Sequence, residues 1–322
     1  MSSKRLLTIF GATGNQGGSI IDTVLGHSTL SAKYSLRAVT RDPSSSKSQA
    51  LASKGIELVR ANLDDADSLK AAVQGSHGVF GVTDFWSLLA PGVDAGAKET
   101  HQGINLFHAS QAAGVKHFIF SSLPNVTKLS GGKITAVGHF DAKAAVQDYA
   151  EAHKKGGEMI TSYYMPAMFL DELKRMVNPG QDGTPMLALP FPDESRAWPL
   201  VAPRRDGGKY VMGLFEAGEQ ADGVAVQGVS TWTTPRQVVE QLSEYAGKEV
   251  KYQPLPLEVF SGFMPEAVRE DLTAMFQWIG EHSYYGLGSE KQQGESDKFL
   301  VEGAGERLSF PEYVKESAPW NL

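Results

Sequence analysis

Gly11, Gly14 and Gly17 recur at every third position in Phe10-Gly11-Ala12-Thr13-Gly14-Asn15-Gln16-Gly17-Gly18, directly after the apolar run Leu6-Leu7-Thr8-Ile9. That spacing suits a dinucleotide's phosphates. Gly11 allows a tight turn off a strand, Gly14 keeps side-chain bulk away from a pyrophosphate, and Gly17 or Gly18 lets the next helix pack closely. Thr13 lies in the turn, and the free N–H groups of the helix start, at Asn15 and Gln16, face the anion along the helix dipole. The alternative is a strand-to-helix turn that holds nothing, since a chain with 34 glycines produces such spacings by chance. A strand before and a helix after argue for the ligand.

Arg41 closes the alternating segment Tyr34-Ser35-Leu36-Arg37-Ala38-Val39-Thr40-Arg41. In a doubly wound sheet the end of the second strand lies beside the adenosine ribose, where an acid binds the 2′-hydroxyl of NAD and an arginine accepts the 2′-phosphate of NADP. Here Arg41 precedes Asp42, so the position favours NADP(H), with the guanidinium as a planar fork on the phosphate. A solvated surface arginine is the alternative. Asn62, Leu63 and Asp64 follow the strand 56–61 and fall near the adenine, although Asp64 or Asp65 serves equally well as a helix cap. Val82, Thr83 and Phe85 end the apolar strand 77–82 and open into the crevice, where Trp86 either walls the pocket or packs locally.

Ser121-Ser122 ends the strand 115–120. A serine here, a Tyr-x-x-x-Lys phenol on the next helix, and the lysine that lowers the phenol's pKa would make up short-chain dehydrogenase machinery. The next helix begins Gly138-His139-Phe140-Asp141-Ala142-Lys143: the lysine is present and histidine replaces the tyrosine. The candidate catalytic residues are therefore Lys143 to orient a ribose and assist proton delivery, His139 as acid, and Ser122 to polarise a substrate. Packing at a helix start is the other reading of His139. Tyr163 or Tyr164 offers a further phenol.

These motifs resemble the NmrA-like family, an atypical branch of the extended short-chain dehydrogenases. The glycine turn, Val39-Thr40-Arg41, Val82-Thr83-Asp84-Phe85-Trp86, Ser121-Ser122 and His139-Phe140-Asp141-Ala142-Lys143 carry the likeness. It continues through Tyr163-Tyr164-Met165-Pro166-Ala167-Met168-Phe169-Leu170-Asp171 to the closing Trp320-Asn321-Leu322. The resemblance implies NADP(H) contacts from Gly11 to Gly17, Arg41, Thr83 to Phe85 and Lys143, with Tyr164, Pro166 and Phe169 on the nicotinamide side. It implies first a redox sensor that responds to NADP(H) and regulates a transcription factor or other protein partner. The second expectation is an NADPH-dependent oxidoreductase acting on a small carbonyl, imine or enone. Homodimers are common among proteins of this type.

Five strand–helix units in succession predict a Rossmann-type α/β fold, a doubly wound parallel sheet with helices on both faces. The expected division is a cofactor domain over 1–165, completed by segments returning from about 210–250, and a smaller α/β lobe over 166–322 for substrate or partner. The segment Asn178-Pro179-Gly180-Gln181-Asp182-Gly183-Thr184-Pro185 reads as a linker, and Gly207-Gly208-Lys209-Tyr210 as a hairpin turn or exposed loop. Thr234-Pro235-Arg236-Gln237 and Ser309-Phe310-Pro311-Glu312 read as helix starts. The helix 265–280, with Leu272, Met275, Phe276 and Ile279 on one side, reads as a lid.

At 322 residues the chain can bury substantial cores, and its 41% hydrophobic and 21% charged residues are ordinary for a globular protein. The net charge of −7, with scattered Lys and Arg, argues against direct nucleic-acid or membrane binding. No cysteine is present, which removes disulfides and thiol chemistry, and the eight histidines form no His-Glu-x-x-His cluster, so no metal is expected. Met1-Ser2-Ser3-Lys4-Arg5 runs straight into a short strand without a signal-peptide core, which makes the cytoplasm the expected compartment, with the nucleus also open.

Overall fold

The computed structural model describes residues 3–180 and 182–322. Met1 and Ser2 at the expected start, and Gln181 in the expected linker, lie outside the described residues. Seven parallel strands form the main sheet. In chain order they are β1 (Arg5–Ile9), β2 (Tyr34–Thr40), β3 (Glu57–Arg60), β4 (Gly78–Gly81), β5 (His117–Ser121), β6 (Ile160–Pro166) and a late strand, Ala225–Gly228. Across the sheet the order is Ala225–Gly228, β6, β5, β4, β1, β2, β3. The order reverses between β1 and β4, and β1 leads into the glycine turn, so the turn opens at the topological switch point where such sheets bind ligands.

Register places apolar residues side by side on both faces. Ile9 pairs with Ala38 and Phe80, Phe80 with Ile119, and Tyr164 with Val226. On one face Leu7, Ile9, Ile119, Tyr164 and Val226 pack against α1 (Asn15–Gly26) and the helix Pro203–Ala217. On the other, Val79, Phe118, Phe120 and Tyr163 meet Leu106, Phe107 and Val146 of the helices Ala95–Ala112 and Gly138–His153. Strands buried on both faces account for the continuous apolar runs in the sequence.

The helix Pro203–Ala217 corrects the reading of Gly207-Gly208-Lys209-Tyr210 as a loop. All four are buried in mid-helix. The physical reason is a close crossing with α1: a Cβ on Gly208 would lie 2.3 Å from the Ser19 carbonyl oxygen. The Gly208 N–H donates to Ser19 Oγ at 2.8 Å. The glycines cost helix propensity and gain interhelical contact.

The rest of the second half packs into a further core built around Trp198, Trp278, Phe191, Phe276 and Phe310, which Leu123, Val126, Ile134, Val137 and Phe140 of the first half join. Two three-stranded sheets frame it. In one, Trp198–Val201 pairs with Met168–Phe169 and Thr231–Thr233; in the other, Pro185–Leu189 pairs with Val177–Pro179 and Lys251–Pro254. Because Val177–Pro179 and Pro185–Leu189 pair antiparallel, the two ends of the expected linker belong to strands packed on this core. Thr234 Oγ1 accepts from the Gln237 N–H, and Ser309 with Glu312 forms a capping box. The helix expected as a lid runs from Arg269 to His282, after a 3₁₀ turn at Glu266–Val268. Among the described residues no helix is long and apolar enough to cross a membrane.

Candidate cofactor and active site

Gly11 has φ +64, and a Cβ there would meet Val82 Cγ1 at 2.5 Å. Gly17 sits against the turn itself: an added Cβ would fall 2.5 Å from the Gly11 carbonyl oxygen and 2.9 Å from Ala12 Cα. Gly17 is therefore the close-packing glycine, and Gly18 has a separate task, making room for Arg204. Gly14 caps α1 in an extended conformation, with no side-chain cap and no acid in the first turn. The opening N–H groups thus remain available to an anion, beside an exposed Thr13 and Asn15. Gln16 Oε1 is buried without a partner.

Arg41 is exposed just beyond β2, with no hydrogen bond or ion pair among the described residues. Thr40 pairs in register with Arg60, and Asp42 turns away to bond Ser44, which holds its carboxyl below the usual range. The arginine therefore has no competing acid. Asn62 Oδ1 accepts from the Asp64 N–H, Leu63 O accepts from Asn105, and Asp64 accepts from Gln102 at 3.0 Å. Asp65, not Asp64, caps the helix Ala66–Val73.

Along the helix Gly138–His153, His139 and Lys143 are four residues apart and share a face. The stretch after β4 covers both. Lys143 Nζ donates to Thr83 Oγ1 at 2.9 Å, to Thr83 O at 3.1 Å and to Glu99 Oε1. Glu99 is completely buried, and its Oε2 has no partner. Trp86 lies over the His139 ring, centroids 4.8 Å apart, with Phe85 at 5.9 Å. His139 Nδ1 bonds Asp271 Oδ1, and the His139 N–H donates to Asp271 Oδ2 at 3.1 Å. Asp271 belongs to the helix Arg269–His282, so a helix from late in the chain delivers a carboxylate to His139. It fixes the imidazole with Nδ1 protonated, and among the described residues Nε2 has no hydrogen-bond partner.

The remaining candidates are placed differently. Ser122 is buried and its hydroxyl donates to Gln147 Oε1 at 2.7 Å, while Ser121 Oγ is buried without a partner. Tyr163 faces away and donates to Glu151 at 2.7 Å; burial, then Glu151, raises its pKa. Tyr164 is fully buried under Gly207 and Gly228, its hydroxyl unpartnered and its pKa driven well up by desolvation. Neither phenol is poised to ionise. Pro166 is buried at the end of β6 and Phe169 is half-buried beside the second core. Glu99, Asp271 and Arg204, which bond Lys143, His139 and Gly14, are absent from the sequence reading.

The sequence profile of the NmrA-like family matches residues 3–306. The chain belongs to the NmrA-like family. Two of its relatives are NmrA-like family domain-containing oxidoreductases: hkm9 of Aspergillus hancockii, 33% identical with 96% of this chain and 93% of the relative covered, and malD of Malbranchea aurantiaca, 30% identical with 89% and 85% covered. Among solved structures, NmrA, a negative transcriptional regulator, in complex with NADP matches at TM-score 0.77 and 22% identity, covering 98% of this chain and 95% of that one. The Citrobacter sp. triphenylmethane reductase complexed with NADP(H) matches at TM-score 0.72 and 20% identity, covering 97% and 99%. These structures share the fold with this NmrA-like chain.

Proposed function

We propose that the protein is an NADPH-dependent reductase of a small carbonyl, imine or enone, with His139 as the proton donor. The observation that carries this reading is the Asp271–His139 pair, walled by Trp86 and set one helical turn from Lys143. The oxidoreductase names of relatives at 30% and 33% identity support it. The cofactor fits the residues present: a glycine turn that a Cβ would obstruct, an uncapped helix start and an unpaired Arg41.

In this reading the α1 N–H groups hold the pyrophosphate and Arg41 the 2′-phosphate. The bound cofactor supplies a hydride to the substrate's electrophilic carbon. His139, as imidazolium, gives the Nε2 proton to the atom that gains the electron pair and is reprotonated from solvent. Asp271 keeps the ring oriented. Lys143, whose three Nζ donors are taken by Thr83 and Glu99, would reach the nicotinamide ribose by exchanging one of them.

NADPH oxidation against a panel of such substrates tests the reading. His139→Gln should lower turnover about 100-fold while NADPH affinity stays within twofold. Unchanged turnover in that variant sinks His139 as acid. Arg41→Ser should weaken NADP(H) at least tenfold and spare NAD(H), as measured by titration calorimetry.

A sensor reading is favoured by a different observation: Ser122 is turned onto Gln147 and Lys143 is neutralised by Glu99, so neither is presented to a substrate. It predicts no turnover, together with NADPH-dependent capture of a protein partner.

A further inference from the structure

The turn that would hold a pyrophosphate has no cation of its own, since Gly11 to Gly26 contains no Lys or Arg. One arrives from far along the chain. Arg204, in the first turn of the helix Pro203–Ala217, donates through Nη1 to the Gly14 carbonyl oxygen at 3.1 Å and pairs through Nη2 with Asp22 at 2.6 Å. Its guanidinium lies against α1 along the stripe Gly14, Gly18, Asp22, with Nη1 nearest Gly18. A Cβ on Gly18 would fall 1.3 Å from Nη1, so Gly18 is the seat of this side chain.

We propose that Arg204 is a cofactor-binding residue that reads the pyrophosphate, and that Gly18 is glycine so that the guanidinium can lie there. The proposal rests on the NADP(H) reading above. A pyrophosphate carries two negative charges, against which a helix start offers roughly half a positive charge. The two bonds already made use two of the five guanidinium N–H groups, and the three left over point from a side chain that is 47% exposed. Asp22 and Gly14 orient the fork; they do not exhaust it. Asp22 also has a second cation, Lys54 at 3.8 Å, so it stays compensated when Arg204 turns toward a phosphate.

Packing of α1 on the helix Pro203–Ala217 is a rival account of the same contacts, and ligand choice separates the two. NADP⁺ presents both the 2′-phosphate and the pyrophosphate, whereas 2′-AMP presents only the former. Calorimetric titration of the full chain should show NADP⁺ affinity about tenfold weaker in Arg204→Met, with 2′-AMP affinity within twofold of wild type. Gly18→Ala should reproduce this loss with Arg204 still in the chain, because a flexible side-chain tip yields to the new methyl and leaves its seat. Arg204→Lys, which keeps a point charge, should fall between. NADP⁺ affinity within twofold of wild type in a folded Arg204→Met protein would overturn the proposal, as would equal losses for NADP⁺ and 2′-AMP. A wild-type protein that binds 2′-AMP but gains nothing from the pyrophosphate of NADP⁺ also overturns it. Failure of the wild type to bind either ligand removes the cofactor reading itself.

Discussion

Lys143 and Glu99 are held out of water together, with the carboxylate completely buried and the lysine side chain 11% exposed. Removing one partner from such a pair strands the other charge, which costs far more than the pair contributes when intact. Glu99→Gln should therefore destabilise the fold by about 3–5 kcal/mol in equilibrium urea unfolding. The double variant Glu99→Met with Lys143→Met should recover most of that loss, because neither charge is then desolvated. Lys143 was legible because its motif is local, four residues after His139. Its partner was not: Lys98-Glu99-Thr100-His101 reads as a solvated helix face, and nothing within a window of ten residues says that Glu99 turns inward. Asp271 was hidden in the same way. It lies 132 residues from His139, and Glu270-Asp271 looks like the acidic start of any helix.

At the scale of elements, the sequence carried what repeats locally. Five strand–helix units, the Thr234 and Ser309 caps and the glycine turn were all readable, since periodicity and capping are decided by neighbours in the chain. The helix Pro203–Ala217 was misread at Gly207-Gly208 because paired glycines normally mark turns, and only α1, lying against them, gives them a different use. The two glycines of α1 also separate by what faces them. Gly17 faces backbone, which cannot give way, so Gly17→Ala should cost about 1–3 kcal/mol in thermal or urea unfolding. Gly18 faces the tip of one arginine, so Gly18→Ala should unfold within about 0.5 kcal/mol of wild type. Equal destabilisation by the two substitutions would contradict the assignment of Gly17 to the turn.

For the whole molecule, pH acts from the N-terminal ends of the strands, opposite the glycine turn. His117, at the start of β5, bonds Ser162 Oγ at 2.7 Å, and Ser162 in turn donates to the Ala221 carbonyl at 2.7 Å. The serine's one proton is thereby used, so His117 Nε2 is the donor. Burial lowers its pKa from 6.5 to about 3, with His77 adding repulsion. His77 is itself shifted down by burial and by Arg5. Below pH 6.5 the unfolded chain takes up protons that the native state refuses, so this contribution is complete above 6.5 and is lost as pH falls toward 3. The slope approaches about 1.4 kcal/mol per pH unit for each such histidine. Urea unfolding at a series of pH values should show this decline, and His117→Gln should flatten it. The late strand Ala225–Gly228 pairs with β6, and it is translated roughly sixty residues after it. A nascent chain that has emerged only as far as residue 200 therefore carries β6 with one bare, apolar flank, the kind of surface that recruits other strands. During synthesis this flank stays open until the late strand emerges, which makes the interval between residues 166 and 228 the period in which a chaperone would matter most.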